Sequence, residues 1–302
     1  MQELTATRCW EERGLLFEGV GWDAGRDELQ WVDITAGRVH RAQLGAHGLA
    51  PVRTYTLDRP VGVCVPASAG GWLLGAGQGF VHLAEDGTRT ELQQPEGGHP
   101  TRMNDGACDP QGRFWAGSMS DDERSPLSRL YRRDLDGSLH VALDGVTISN
   151  GLGWSLDGRT TYFIDTPRRS VDAFDFQTET GTLTGRRPLV RVPRGYGLPD
   201  GLTMDDEGCL WVAFFGGSAV RRFTPGGQLD AVVHLPVTNV TSCCFGGPGR
   251  STLFVTTARH GLDPAQLASQ PDAGCLFSVR PGVTGPSRAP YRGAIPGVAS
   301  RP

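Results

Sequence analysis

Three carboxylates and a carboxamide recur at one phase of this 302-residue chain, each followed by glycine: Glu18-Gly, Asp105-Gly, Asn150-Gly and Asp200-Gly. With an uncharged copy at Val61-Gly, the steps are 43, 44, 45 and 50 residues, and Ser242 extends the series after 42 more. Oxygen donors held at one phase of a repeat meet wherever the repeat closes on itself. There they would repel one another and lose hydration unless a cation compensated them. No thiolate or imidazole shares the phase, so one hard divalent ion is expected. Ca²⁺ is the first choice, Mg²⁺ or Mn²⁺ the next, and Zn²⁺ could substitute without being physiological.

The elements that must position these groups are legible around them. EGVGWDAGRDELQWVDI, DGACDPQGRFWAGSM, NGLGWSLDGRTTYFIDT and DGLTMDDEGCLWVAFF each read as an apolar strand, a Gly/Asp turn and a second strand rich in Trp, Phe, Val and Ile. A weaker copy, VGVCVPASAGGWLLGAG, starts at Val61, and SCCFGGPGRSTLFVTTA starts at Ser242. Units of this size, unable to bury both faces alone, predict an all-β, six-bladed β-propeller with blades of four antiparallel strands around a central channel. Glu18, Asp105, Asn150 and Asp200 would then converge on its axis. Asp-Gly and Asn-Gly are also common hairpin pairs. That alternative is weaker here, because these pairs precede apolar strands and separate turns follow at 109–112, 157–158 and 205–208.

The repeat runs through nearly the whole chain and predicts one domain over 1–302. The 43 glycines and 21 prolines sit with turns and strand starts, a turn-dense β composition and not a disordered one. A net charge of −4 with mixed signs gives no basic stripe, so nucleic acid is not an expected partner. No membrane span or secretory leader is evident, and the seven cysteines are odd in number and lie mostly in apolar stretches. They read as reduced core residues of a cytoplasmic protein, a monomer or weak homo-oligomer. The histidines fall outside the repeated motifs, and no G-x-S-x-G is present, which disfavours a Ser-His-Asp hydrolase.

Residues 4–10 and 14–17 are expected to supply an outer strand to the last blade and close the ring. Two loops, 93–101 and 120–128, flank the third unit on one rim, where repeat proteins commonly place binding contacts. The Pro/Gly/Ser/Arg-rich tail 281–302 is expected to be frayed, irregular from about 285, and is assigned no function.

EGVGWD with WVDI, RMNDGACDPQGRFWAGSM, SNGLGWSLDG, YFIDT, PDGLTMDDEGCLWVA and TSCCFGG with LFVTTA together resemble the SMP-30/gluconolactonase/regucalcin family. That family consists of six-bladed propellers that bind a divalent cation on the axis and hydrolyse sugar lactones. The resemblance implies that Glu18, Asn150 and Asp200 are metal ligands and that Arg102, Asn104 and Asp122 reach the substrate. Aspartate at 122, where glutamate is common in animal members, shortens that reach by one methylene. Asp105 becomes a near-axis acid that contacts the ion through water, and Val20 replaces a frequent proline.

The implied activity is a metal-dependent opening of a sugar lactone, with the carbonyl polarised by the ion and Asp200 orienting or deprotonating the attacking water. A phosphotriesterase could use the same ion, and Trp154, Tyr196 and Phe215 leave room for an apolar ester. A calcium-binding propeller without catalysis is the alternative from a different class.

Overall fold

The computed structural model describes residues 1–298. Their strands form six sheets in a ring, a six-bladed β-propeller with each blade's first strand innermost. The inner strands are Phe17–Asp23, Val61–Pro66, Thr101–Cys108, Ser149–Trp154, Leu198–Met204 and Val240–Gly246. The second strands are sandwiched between neighbouring blades, so Trp72–Ala76, Phe114–Ser120 and Thr252–Thr257 are buried at every position. Such strands must be apolar on both faces, hence the near-continuous hydrophobic runs in the sequence. Trp31, Trp72, Trp115 and Trp211 are fully buried. Burying each of these rings stabilises the fold by about 3 kcal/mol.

The turns between first and second strands explain the repeated Asp-x-x-Gly. In blade three, Asp109 accepts from Gln111 N and Arg113 N, both at 3.0 Å, and its other oxygen accepts from Trp115 Nε1 at 3.0 Å. Blade five repeats this with Asp205, which accepts from Cys209 N at 2.9 Å and Trp211 Nε1 at 2.8 Å. One aspartate thus shapes the hairpin and anchors the tryptophan behind it. The Asp-Gly and Asn-Gly pairs of the opening motif lie inside inner strands and not in turns.

The amino terminus closes the ring, and it does so across two blades. Thr7–Trp10 is the outer strand of blade six, antiparallel to Leu276–Val279, as the sequence led us to expect, whereas 14–17 supply no outer strand and Phe17 opens the inner strand of blade one. Gln2–Thr5 adds a fifth strand to blade five, parallel to Leu229–His234, so that blade departs from the four-strand pattern. The chain changes sheets at Ala6, which is buried and donates its N–H to His234 O at 3.0 Å.

The frayed tail is corrected. Residues 280–298 form no strand, but Tyr291 and Ile295 are buried in the core shared by blades two and three. Tyr291 bridges Ala67, and the Tyr291 hydroxyl donates to Asp134 O at 3.0 Å. The part of that expectation covering 299–302 lies outside the described residues. All seven cysteines are unpaired, five of them buried. Among the described residues no helix is long and apolar enough to cross a membrane.

Candidate metal centre

In every blade the inner strand loses register with its neighbour where the motif falls. The breaks lie at Glu18/Gly21, Val61/Val63, Met103/Gly106, Ser149/Leu152, Pro199/Leu202 and Val240/Ser242. A bulge bends a strand and re-aims the side chain it carries. In blades one, three, four and five the bulge turns one side chain out of the sheet alternation and toward the channel, whereas Val61 of blade two stays in the apolar core between blades. In blades two, four and five the glycine that follows is required by the neighbouring blade: a Cβ on Gly151 would lie 2.7 Å from Asp200 O, and one on Gly62 only 2.3 Å from Asn104 O.

Glu18, Asn104, Asn150 and Asp200 are brought together on the axis, each nine-tenths or more buried. Asp200 Oδ1 is buried and has no hydrogen-bond partner. Burial pushes the Glu18 and Asp200 carboxyls well above the usual carboxylate range, helped by repulsion from Asp105 and, at Asp200, from Glu18. An orphaned carboxylate oxygen among converging acids, with no sulfur or imidazole beside it, fits a hard divalent cation. Glu18, Asn150 and Asp200 are the side chains that would hold it. The matching positions of the remaining two blades, Val61 and Ser242, carry no charge.

A relay of hydrogen bonds fixes the carboxamides. Arg102 Nη1 donates to Asn104 Oδ1 at 2.7 Å, and Asn104 Nδ2 donates to Asn150 Oδ1 at 2.9 Å. Asn150 Nδ2 then donates to Thr166 Oγ1, whose hydroxyl donates to Pro199 O, both at 2.8 Å. The relay therefore runs from blade three to the residue next to Asp200 in blade five. Thr166 was missed in the sequence reading, although it ends the YFIDT stretch.

Asp105 sits one step lower. Its Oδ1 accepts from Gly106 N at 2.7 Å, and it lines a cavity of about 860 Å³ that opens at the hairpin end of the channel. Burial pushes its carboxyl up to about 6, against the opposing pull of Arg288. Trp154 also lines that cavity, on the opposite side of the axial cluster from the rim that holds Tyr196 and Phe215.

Asp122 is not gathered into the cluster. It is exposed, and its carboxylate caps its own turn, accepting from Arg124 N at 2.9 Å and from Ser125 N at 2.8 Å and Oγ at 2.5 Å. Those bonds hold it down at about 2. The acids whose charge acts on Arg102 are Glu18 and Asp200 on the axis and, from this loop, Asp121 and Glu123, which flank Asp122. Beneath this loop the fully buried Glu96 accepts from Thr101 Oγ1, from Ser118 Oγ at 2.9 Å and from Tyr131 OH at 2.5 Å. It ties three strands of blade three together beside Arg102, and nothing in the sequence singled it out.

A second cluster, Asp205 with Glu207 and Cys209, could also hold an ion by proximity. Its carboxylates are already answered by Arg222, which bridges both at 2.5–2.7 Å, so it is a structural ion pair.

The SMP-30/Gluconolactonase/LRE-like family model matches residues 16–259, a span that takes in all six inner strands and every residue of the cluster. The chain belongs to this family. It is 39% identical to regucalcin of Danio rerio over 275 residues, covering 89% of this chain and 92% of that one. It is 33% identical over 296 residues to a Bacillus subtilis protein provisionally named sugar lactone lactonase YvrE, covering 94% and 98%. Among solved structures, the calcium-binding protein regucalcin of Agrobacterium tumefaciens superposes with a TM-score of 0.89 at 25% identity, over 97% of this chain and 99% of that one.

Proposed function

We propose that this family member is a metal-dependent hydrolase that opens a sugar lactone to its aldonic acid. The observation that carries the reading is the axial cluster itself: Glu18, Asn150 and Asp200 converge with one carboxylate oxygen unpartnered, and Arg102 and Asn104 stand beside them. The provisional lactonase name of the Bacillus subtilis relative supports the substrate class, and the calcium-binding description of the Agrobacterium structure supports the ion.

Glu18, Asn150 and Asp200 would hold the cation. When bound, it supplies charge stabilisation for the oxyanion that forms at the lactone carbonyl and lowers the pKa of water. Arg102 and Asn104 bind ring or chain hydroxyls and orient the carbonyl toward the axis. Asp122 reaches a further hydroxyl if it leaves its turn. Asp200 Oδ1, free of other donors, accepts the proton of the attacking water.

A panel of gluconolactone, xylonolactone, arabinonolactone and galactonolactone, assayed by acid release with Ca²⁺, Mg²⁺, Mn²⁺ or Zn²⁺ and again with EDTA, tests this. The expected result is cation-dependent turnover of at least one lactone. No turnover with any ion would overturn the lactonase assignment.

Leu15, Leu127 and Leu198 are exposed at the same end of the ring and favour, as a second reading, a neutral phosphotriester with apolar substituents. A neutral phosphotriester in the same assay separates the two. Ion binding without turnover of either class would support a calcium-binding propeller instead.

A further inference from the structure

The C-terminal segment contacts five of the six blades at the end of the ring opposite the ligands. Asp206 N of blade five donates to Thr284 O at 2.8 Å, and Gly285 N donates to Arg250 O of blade six at 3.1 Å. Beyond the mouth of the channel, Tyr291 exchanges backbone hydrogen bonds with Pro66 and Ser68 of blade two, each 2.8 Å, and Arg292 N donates to Gly112 O of blade three at 2.9 Å. Both ends of the span are thereby fixed. Between them Arg288 turns inward, and its guanidinium donates to Val20 O and Cys243 O, both at 3.4 Å. Those carbonyls belong to the inner strands of blades one and six, and Arg288 lines the same cavity as Asp105.

We infer that Arg288 is a positioning residue for the axial site: a cation strapped in from below that answers the charge of Asp105 and leaves Glu18, Asn150 and Asp200 to the metal ion. Two further observations support the assignment. Arg288 is the charged group that favours ionised Asp105. Arg102, on the ligand side, is shared among Glu18, Glu123, Asp121 and Asp200. The inference rests on the divalent-cation reading above.

The test is calorimetric titration of Ca²⁺ into EDTA-stripped full-length protein, read alongside its thermal unfolding. An electrostatic role has a sign that a merely structural strap lacks. Removing a positive charge beside the axis lets the ion bind more tightly, so Arg288→Met should tighten Ca²⁺ by about fivefold, and Arg288→Lys should stay within about twofold of wild type. Loosening of a structural strap would weaken binding instead. Asp105→Asn should cost less than about threefold while Arg288 is present and about tenfold in the Arg288→Met background, a coupling that exposes the pair.

Equal or weaker binding by Arg288→Met, or an equal cost of Asp105→Asn in both backgrounds, overturns the inference. Should Arg288→Met fail to fold, Asp105→Asn alone decides, because a loss of about tenfold or more would make Asp105 a charge that the ion itself answers. If the wild-type protein binds none of Ca²⁺, Mg²⁺, Mn²⁺ and Zn²⁺, the divalent-cation reading falls and the inference with it. Wild-type binding with no tightening in Arg288→Met removes the inference alone.

Discussion

The side-chain amide of Asn104 donates to the side-chain oxygen of Asn150 across 2.9 Å, so a residue of blade three sets the orientation of one on blade four. Because Asn150 Nδ2 is held by Thr166 Oγ1 at 2.8 Å, the carboxamide has one satisfied orientation, with its oxygen beside Asn104. Arg102 and the proposed ligand set are therefore joined by a single directed relay.

Thr166→Val tests that relay with little change of shape. The methyl cannot accept from Asn150 or donate to Pro199 O, and the carboxamide loses its anchor. Partners behind a ligand commonly contribute tenfold to a hundredfold in metal affinity, so about a tenfold weaker Ca²⁺ titration is expected. The fold should survive with a stability loss of about 1–2 kcal/mol, read from urea unfolding. An unchanged titration would detach Thr166 from the site.

The metal-free protein should be more stable at pH 5 than at pH 8. Glu18, Asp105 and Asp200 all have carboxyls raised by burial, Asp105 to about 6. Groups whose folded pKa exceeds the unfolded value stabilise the fold below the unfolded pKa of about 4, and that contribution is lost as the pH rises through the folded pKa. For Asp105 the loss runs from about pH 4 and is complete just above pH 6, and for the Glu18–Asp200 pair it continues well above the usual carboxylate range. In EDTA the melting temperature should fall by about 3–6 °C between pH 5 and pH 8, and Glu18→Gln should flatten the slope. A flat wild-type profile would contradict the proposed crowding of charge.

Gly151→Ala should damage the site from behind. The added Cβ would sit 2.7 Å from Asp200 O and 2.9 Å from the side chains of Ile164 and Leu202, so blades four and five must separate. Overpacking of this kind costs about 1–3 kcal/mol, measurable by urea unfolding, and ion affinity should fall with it because the proposed ligands Asn150 and Asp200 lie on the two blades being pushed apart. Full stability with normal ion binding would show that this interface yields freely.

Much of this architecture was legible because a repeat states it several times. The polar-Gly phase selected Glu18, Asp105, Asn150 and Asp200, and three of these and the neighbour of the fourth, Asn104, do meet on the axis. The bulges were not legible, since a register break leaves no residue signature beyond the glycine. The strap was missed because its hold on the blades is largely backbone to backbone, in a stretch whose composition reads as loop. Glu96 was invisible for a related reason: a lone acid in QPEGGHP looks solvated until hydroxyls from three separate strands are seen around it. The split of the amino terminus over two blades turns on Ala6, a residue that carries no turn signal.

Asp122 poses the sharpest remaining choice, because resemblance and geometry give it different tasks. The family pattern assigns its carboxylate to the substrate, whereas in the structure it accepts from Arg124 N, Ser125 N and Ser125 Oγ within its own exposed turn. Asparagine separates the two roles. Its single carbonyl oxygen can still accept from the two backbone N–H groups, both of which bond to Asp122 Oδ1, but it carries no charge for a sugar hydroxyl. If the residue acts by shaping the loop that carries Asp121 and Glu123 toward Arg102, Asp122→Asn should keep KM within about twofold of wild type, and Asp122→Ala should raise it about tenfold with kcat less affected. If the carboxylate leaves its turn to bind substrate, both variants should raise KM alike. The comparison is made on whichever lactone the wild-type enzyme turns over fastest, with saturating cation, so that ion binding does not enter the ratio.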